Sequence, residues 1–140
     1  MNSKPILIVP GEKKSIFFEI FFKSLKLRKF NSGIILICNK KKLDREIKIF
    51  NFKKKIELLD KFEINPKNIK KNKIYLIDVK NQDQKNYVLD CFDLAFKLIK
   101  SGFTNKLING PVDKSKTLKK KYLGITEYIS EKFNKRKFAM

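Results

Sequence analysis

The sequence predicts an α/β protein, three-layered αβα with a mostly parallel sheet. Short apolar runs alternate along the chain with longer stretches of helical periodicity, the pattern of strands joined by crossover helices. One run, Gly33 to Cys38, is apolar at every position, which suits the centre of a sheet covered on both faces. The chain has 140 residues, 42% of them apolar, enough for a single domain with its own core.

A first strand is expected over Pro5 to Val9, ending in the turn Pro10-Gly11-Glu12. A helix over about Lys14 to Leu27 places Ile16, Phe17, Ile20, Phe21 and Leu25 on one broad face. After the strand Gly33 to Cys38, a charged helix over about Lys41 to Phe50 carries Leu43, Ile47 and Phe50 inward and an exposed Asp44–Lys48 pair. Lys55 to Leu59 reads as a third strand, and Asp60 to Lys73 as a connection containing Pro66. Lys73 to Val79 is a further strand. A long helix over about Asp83 to Ser101 shows an inward stripe of Val88, Cys91, Phe92, Ala95, Phe96 and Ile99, with Gly102 placed to end it. Lys106 to Ile108 forms a strand entering Gly110-Pro111, followed by a basic helical stretch and by a last helix opened by Thr126-Glu127.

Lysine and arginine number 34 against 14 acidic residues, for a net charge of +20. Such an excess attracts polyanions. Only Arg28, Arg45 and Arg136 are arginine, however, and arginine is the residue that reads bases and grips phosphates bidentately. The lysine clusters, near residues 13, 40, 53, 70 and 120, are dispersed at element ends and read as solvated surface. Nucleic acid is therefore not the expected partner. No apolar run approaches the roughly 20 residues of a membrane span, and the apolar segment Ile6 to Val9 is too short for a signal peptide. No membrane association and a cytoplasmic location are expected.

Cys38 and Cys91 lack the spacing of a metal or redox motif and read as buried free thiols. Histidine is absent. The chain thus lacks the commonest metal ligand and the usual general base at neutral pH, and no catalytic or metal-ligating residue is assigned within it.

The informative segment is Leu107 to Met140. It contains Gly110-Pro111-Val112-Asp113-Lys114, then Gly124-Ile125-Thr126-Glu127, then Phe138-Ala139-Met140. On the residues alone, Lys114 is explained by a rigid Gly-Pro turn with a solvated lysine, and Thr126 by a hydroxyl capping the helix it precedes. Together the three segments resemble the 4-hydroxythreonine-4-phosphate dehydrogenases of vitamin B6 synthesis. That family has a strand, then Gly-Pro-(Val/Ile)-(Asn/His)-Lys, then Gly-His-Thr-Glu before a helix, then a strand ending Met-Met-Leu. Its first loop, Gly-(Glu/Asp)-Pro-Ala-Gly-Ile-Gly-Pro-(Glu/Asp), is matched by Pro10-Gly11-Glu12, Ile16 and Glu19, while Ser15 and Phe17 replace two glycines.

The resemblance implies an isocitrate/isopropylmalate dehydrogenase-like fold, here truncated: an N-terminal portion of a longer two-domain enzyme, with Phe138 to Met140 beginning a strand. It implies a homodimer acting on a phosphorylated small molecule, NAD as cofactor, and a divalent metal (Zn, Mg or Co) whose histidine ligands lie further along the family's chains. The implied substrate contacts fall on Ile125 and Thr126, with Lys114 beside them; cofactor-binding residues are not assigned. Ile125 has no donor, acceptor or charge, so Thr126 and Lys114 would carry the contact. The expected function is a 4-hydroxythreonine-4-phosphate dehydrogenase-like oxidoreductase, the 140 residues alone being inactive. Two alternatives stay open: a small basic RNA-associated protein, and a noncatalytic or substrate-shifted relative of the dehydrogenase.

Overall fold

In a computed structural model of the chain, residues 3–80 and 86–134 are described. Five strands, β1 (Ile6–Val9), β2 (Ile34–Cys38), β3 (Ile56–Leu59), β4 (Ile74–Asp78) and β5 (Leu107–Asn109), form one sheet in the order β3-β4-β2-β1-β5. Every pairing is parallel, with registers such as Leu7 against Ile35 and Leu36 against Leu76. Among the described residues, four α-helices accompany it: α1 (Phe17–Leu27), α2 (Lys40–Ile49), α3 (Tyr87–Lys100) and α4 (Ile125–Lys132). A single 3₁₀ turn, Pro66–Asn68, lies between β3 and β4.

The unbroken apolar run of β2 occupies the centre of the sheet, all five residues buried. Its alternate side chains enter two separate cores. Ile35 and Ile37 join Leu7, Val9 and Ile77 under α3 and α4, where Phe92, Phe96 and Tyr128 pack. Ile34, Leu36 and Cys38 join Ile8 and Leu76 under α1 and α2, where Phe18, Phe22 and Leu43 pack. This is the three-layer αβα arrangement expected from the sequence, with the strand at residues 56–59 forming one edge.

Three expectations are corrected. Helix α1 is rotated from the expected face: Phe21 and Leu25 are buried as expected, but Phe18 and Phe22 join them, whereas Ile16 and Ile20 are 64% and 54% exposed. Phe22 stacks on Phe52 with centroids 4.4 Å apart, and turning Phe18 and Phe22 inward removes more apolar area from water than burying two isoleucines. On α2, Asp44 pairs with Lys40 at 2.6 Å instead of Lys48, and Lys42 pairs with Glu46. The Asn39 side chain caps this helix by accepting from the Lys42 N–H.

The third correction concerns the basic stretch after β5, which forms turns and no helix between residues 111 and 124. The Asp113 carbonyl accepts from the N–H groups of Thr117 and Leu118, closing one helical turn. Lys119 and Lys120 then take positive φ (51° and 57°), left-handed backbone that ends the turn at a cost of about 1–2 kcal/mol each. Elsewhere boundaries move by a few residues; the expected start of the long helix at residues 83–85 and the expected strand at 138–140 lie outside the described residues.

Candidate functional site

The chain leaves β1 toward the layer of α1 and leaves β5 toward the layer of α4, so a crevice opens at the C-terminal ends of these neighbouring strands. Two loops border it. Glu12 donates its backbone N–H to the Pro111 carbonyl at 2.9 Å, and the Gly110 N–H reaches the Val9 carbonyl at 2.8 Å. Both crossing points require glycine. Gly11 has φ +87°, and a Cβ there would lie 2.2 Å from the Pro111 carbonyl oxygen. A Cβ on Gly110 would lie 1.8 Å from the Pro10 carbonyl oxygen and 2.8 Å from the Phe17 ring. Phe17, standing where the resembling family has glycine, therefore packs its ring on Gly110 and fills space beneath the loop.

A carboxylate completes the lacing. Glu12 Oε1 accepts from the Asp113 N–H at 2.9 Å and from the Thr117 hydroxyl, across separations of 101 and 105 residues. Asp113 in turn accepts at Oδ1 from the Lys116 N–H, the Ser115 hydroxyl and the Ser115 N–H, each at 2.9 Å. The Lys116 N–H first, and then Ser115, hold the Asp113 carboxyl below its ordinary range. From the sequence, Glu12 and Asp113 stand only as members of matching motifs, and neither they nor Thr117 are assigned a role. The only local signal was a carboxylate directly after a strand-ending glycine, and its partners lie at the far end of the chain.

The three expected contact residues are brought to one corner. The Lys114 side chain lies at the N-terminus of α4, its Cε 3.8 Å from where a Cβ on Gly124 would stand. Gly124 is the N-cap, with Ile125 first and Thr126 second in the helix. Thr126 is thus two residues past the cap position, and α4 has no side-chain cap. Thr126 is half-buried, and its hydroxyl makes no hydrogen bond to another described residue. Ile125 packs against the core beneath α4. The Glu127 carboxylate folds back toward Gly124, its Oε2 3.2 Å from that same Cβ position. Helix α4 is fixed by its aromatic residues: Tyr128 sits 6.0 Å from Phe96 and 5.2 Å from Tyr122, and Phe133 meets Phe96 edge-on at 5.2 Å.

No protein-family model matches the sequence, and no curated protein matches it either. Solved structures do. A 4-hydroxythreonine-4-phosphate dehydrogenase from Burkholderia phymatum superposes with a TM-score of 0.73 over 98% of this chain, at 20% identity. The fold is that of part of a 4-hydroxythreonine-4-phosphate dehydrogenase. The corresponding protein from Klebsiella pneumoniae gives a TM-score of 0.74 over 94% of this chain at 19% identity. This chain spans 46% and 44% of those two dehydrogenase chains, less than half their length. The structural likeness to the dehydrogenases thus agrees with the family that the Gly110–Lys114 and Gly124–Glu127 motifs resemble.

Proposed function

We propose that the chain forms the phosphate-binding part of an oxidoreductase similar to 4-hydroxythreonine-4-phosphate dehydrogenase. The observation that carries the reading is the convergence of Lys114 and Thr126 on the N-terminus of α4. A lysine ammonium, a hydroxyl and the positive end of a helix favour a phosphomonoester, since each supplies charge or donors to its oxygens. The substrate would be a phosphorylated hydroxy amino acid, oxidised at its hydroxyl as a step of pyridoxal phosphate synthesis. NAD is the hydride acceptor this reading expects. A cytoplasmic homodimer is the expected setting.

The divalent metal that the resemblance implies does not fit these residues. The chain has no histidine, and among the described residues no three His, Cys, Asp or Glu side chains are placed to hold an ion. In this reading its ligands lie outside the 140 residues. The role left to this chain is to hold and orient the phosphate end of the substrate.

Calorimetric titration with 4-hydroxythreonine 4-phosphate and with unphosphorylated 4-hydroxythreonine tests the reading. Only the phosphorylated compound should bind, and Lys114→Ala or Thr126→Ala should each weaken it about tenfold. Equal binding of the two compounds would reject the phosphate site. The isolated chain should not reduce NAD with this substrate; measurable reduction would reject the placement of the metal ligands.

A further inference from the structure

A second cationic cluster, which does not include Lys114, lies at the 113–119 loop. There a cleft of about 710 Å³ opens between the loop after β1, the loop after β5 and the first turn of α3. Lys13 and Lys14 enter it from the first loop, Lys116 and Lys119 from the second, and Tyr87 and Val88 form its apolar wall. Two lysine clusters that are far apart in sequence are thus brought together, so the dispersal of charge seen along the chain does not survive folding at this place.

Three features make the cleft more than another stretch of basic surface. The lining carries four lysines against two carboxylates, Glu12 and Asp113, so the cleft is net cationic, and both carboxylates already accept hydrogen bonds within the loops. Among the described residues, Lys14, Lys116 and Lys119 form no ion pair, and all three are exposed. The walls are also fixed before any ligand arrives, because the Glu12 lacing joins the loop carrying Lys13 and Lys14 to the loop carrying Lys116 and Lys119. Lys13 lies 6.0 Å from the centroid of the Tyr87 ring, which is itself buried and anchored by the Asn39 N–H donating to its hydroxyl at 2.7 Å.

We propose that this cleft binds a small ligand carrying two or more linked phosphate groups. Its volume falls within the roughly 300–1,000 Å³ of small-molecule sites. The charges come from two loops instead of converging on one point, which matches a row of phosphates better than a single one. They are all lysines, point charges that neutralise without the bidentate geometry an arginine would impose on one group. The proposal does not depend on the phosphomonoester corner at Lys114 and Thr126.

Inorganic pyrophosphate is the probe, titrated into the 140-residue chain by calorimetry at about 0.15 M salt, where exposed charges more than a Debye length apart are largely screened. Saturable one-to-one binding, at least about tenfold tighter than inorganic phosphate, is expected. The triple variant Lys14→Ala, Lys116→Ala, Lys119→Ala should lose about tenfold or more in pyrophosphate affinity while keeping the native melting temperature. Lys53→Ala with Lys55→Ala, which removes exposed charge elsewhere, should change affinity less than about twofold. Lys114→Ala should leave it unchanged, which separates this site from the proposed phosphomonoester corner. Equal losses in the cleft and control variants, or pyrophosphate binding no tighter than phosphate, would overturn the proposal.

Discussion

Glu12 accepts a hydrogen bond from the backbone N–H of Asp113 at 2.9 Å, tying the end of the first strand to the loop after the last. The same carboxylate oxygen also takes the Thr117 hydroxyl, so a single half-buried side chain holds both walls of the crevice. Hydrogen bonds to a charged acceptor contribute about 1.5–3 kcal/mol each. Glu12→Ala should therefore destabilise the protein by about 2–4 kcal/mol, and Glu12→Gln, which keeps an acceptor oxygen but not the charge, by less. Urea denaturation of the two variants checks this, and an unchanged midpoint for Glu12→Ala would remove the lacing from the account.

Gly110 poses a steric test of the same junction. Its missing side chain leaves room for the Pro10 carbonyl, which a Cβ would approach to 1.8 Å, and the atom that would have to yield is backbone. Gly110→Ala should cost at least about 3 kcal/mol, comparable to overpacking a core position. A circular-dichroism melt reads the outcome, and a melting temperature within a degree or two of the unsubstituted protein would mean the two loops part easily.

The face of α1 offers a direct comparison between the expected and observed packing. Phe22→Ala should cost about 3–5 kcal/mol because it removes a ring stacked on Phe52 and leaves a cavity. Ile20→Ser, at a position 54% exposed, should stay within about 0.5 kcal/mol. Were Ile20→Ser the costlier of the two, the helix would present the face that its sequence periodicity suggests.

That helix also shows what the sequence could and could not convey. The strands were readable because burial on both faces leaves a local record, as in the run Ile34–Cys38, and the stripe of α3 was readable because its outward positions are polar. On α1, phenylalanine and isoleucine occur nearly all round the helix, and the choice between faces is made by Phe52 in a different segment. The site divides in the same way. Gly110-Pro111 announces a turn and Lys114 and Thr126 do share a corner, yet the shift of Thr126 from cap to second helical residue rests on how Gly124 extends. The Glu12 lacing and the meeting of Lys14 with Lys116 and Lys119 depend on the β1–β5 pairing, which no local pattern encodes.

The two cysteines should be unreactive in the folded protein. Burial raises the Cys38 thiol well above its ordinary value and pushes Cys91 up to about 12. At pH 8 a disulfide reagent should modify neither until the protein is unfolded, whereupon both react. Because the Cys91 pKa is raised from 9.0, its contribution to stability is fully present below about pH 9 and lost as pH rises toward 12. Cys91→Ala should accordingly flatten the fall in stability over that alkaline window. Tyr87, raised by the same burial, should keep part of the slope, and a variant with an unaltered slope would contradict the buried-thiol assignment.

Ile125 decides whether the corner at α4 serves a phosphomonoester. As the first residue of the helix, half-buried against the core and next to Thr126, it is the position at which the resembling dehydrogenases carry histidine. Ile125→His would introduce a nitrogen donor at the same helix end that Lys114 approaches. The exchange forfeits some apolar burial, about 1 kcal/mol, so a small drop in melting temperature is expected whatever the ligand. If the corner holds a phosphate, affinity for 4-hydroxythreonine 4-phosphate should rise about tenfold. The gain should be larger below about pH 6.5, where the imidazole is charged, and should vanish with Thr126→Ala added. An affinity that does not move, with the fold intact, would mean that Lys114 and Thr126 face a ligand without a phosphate.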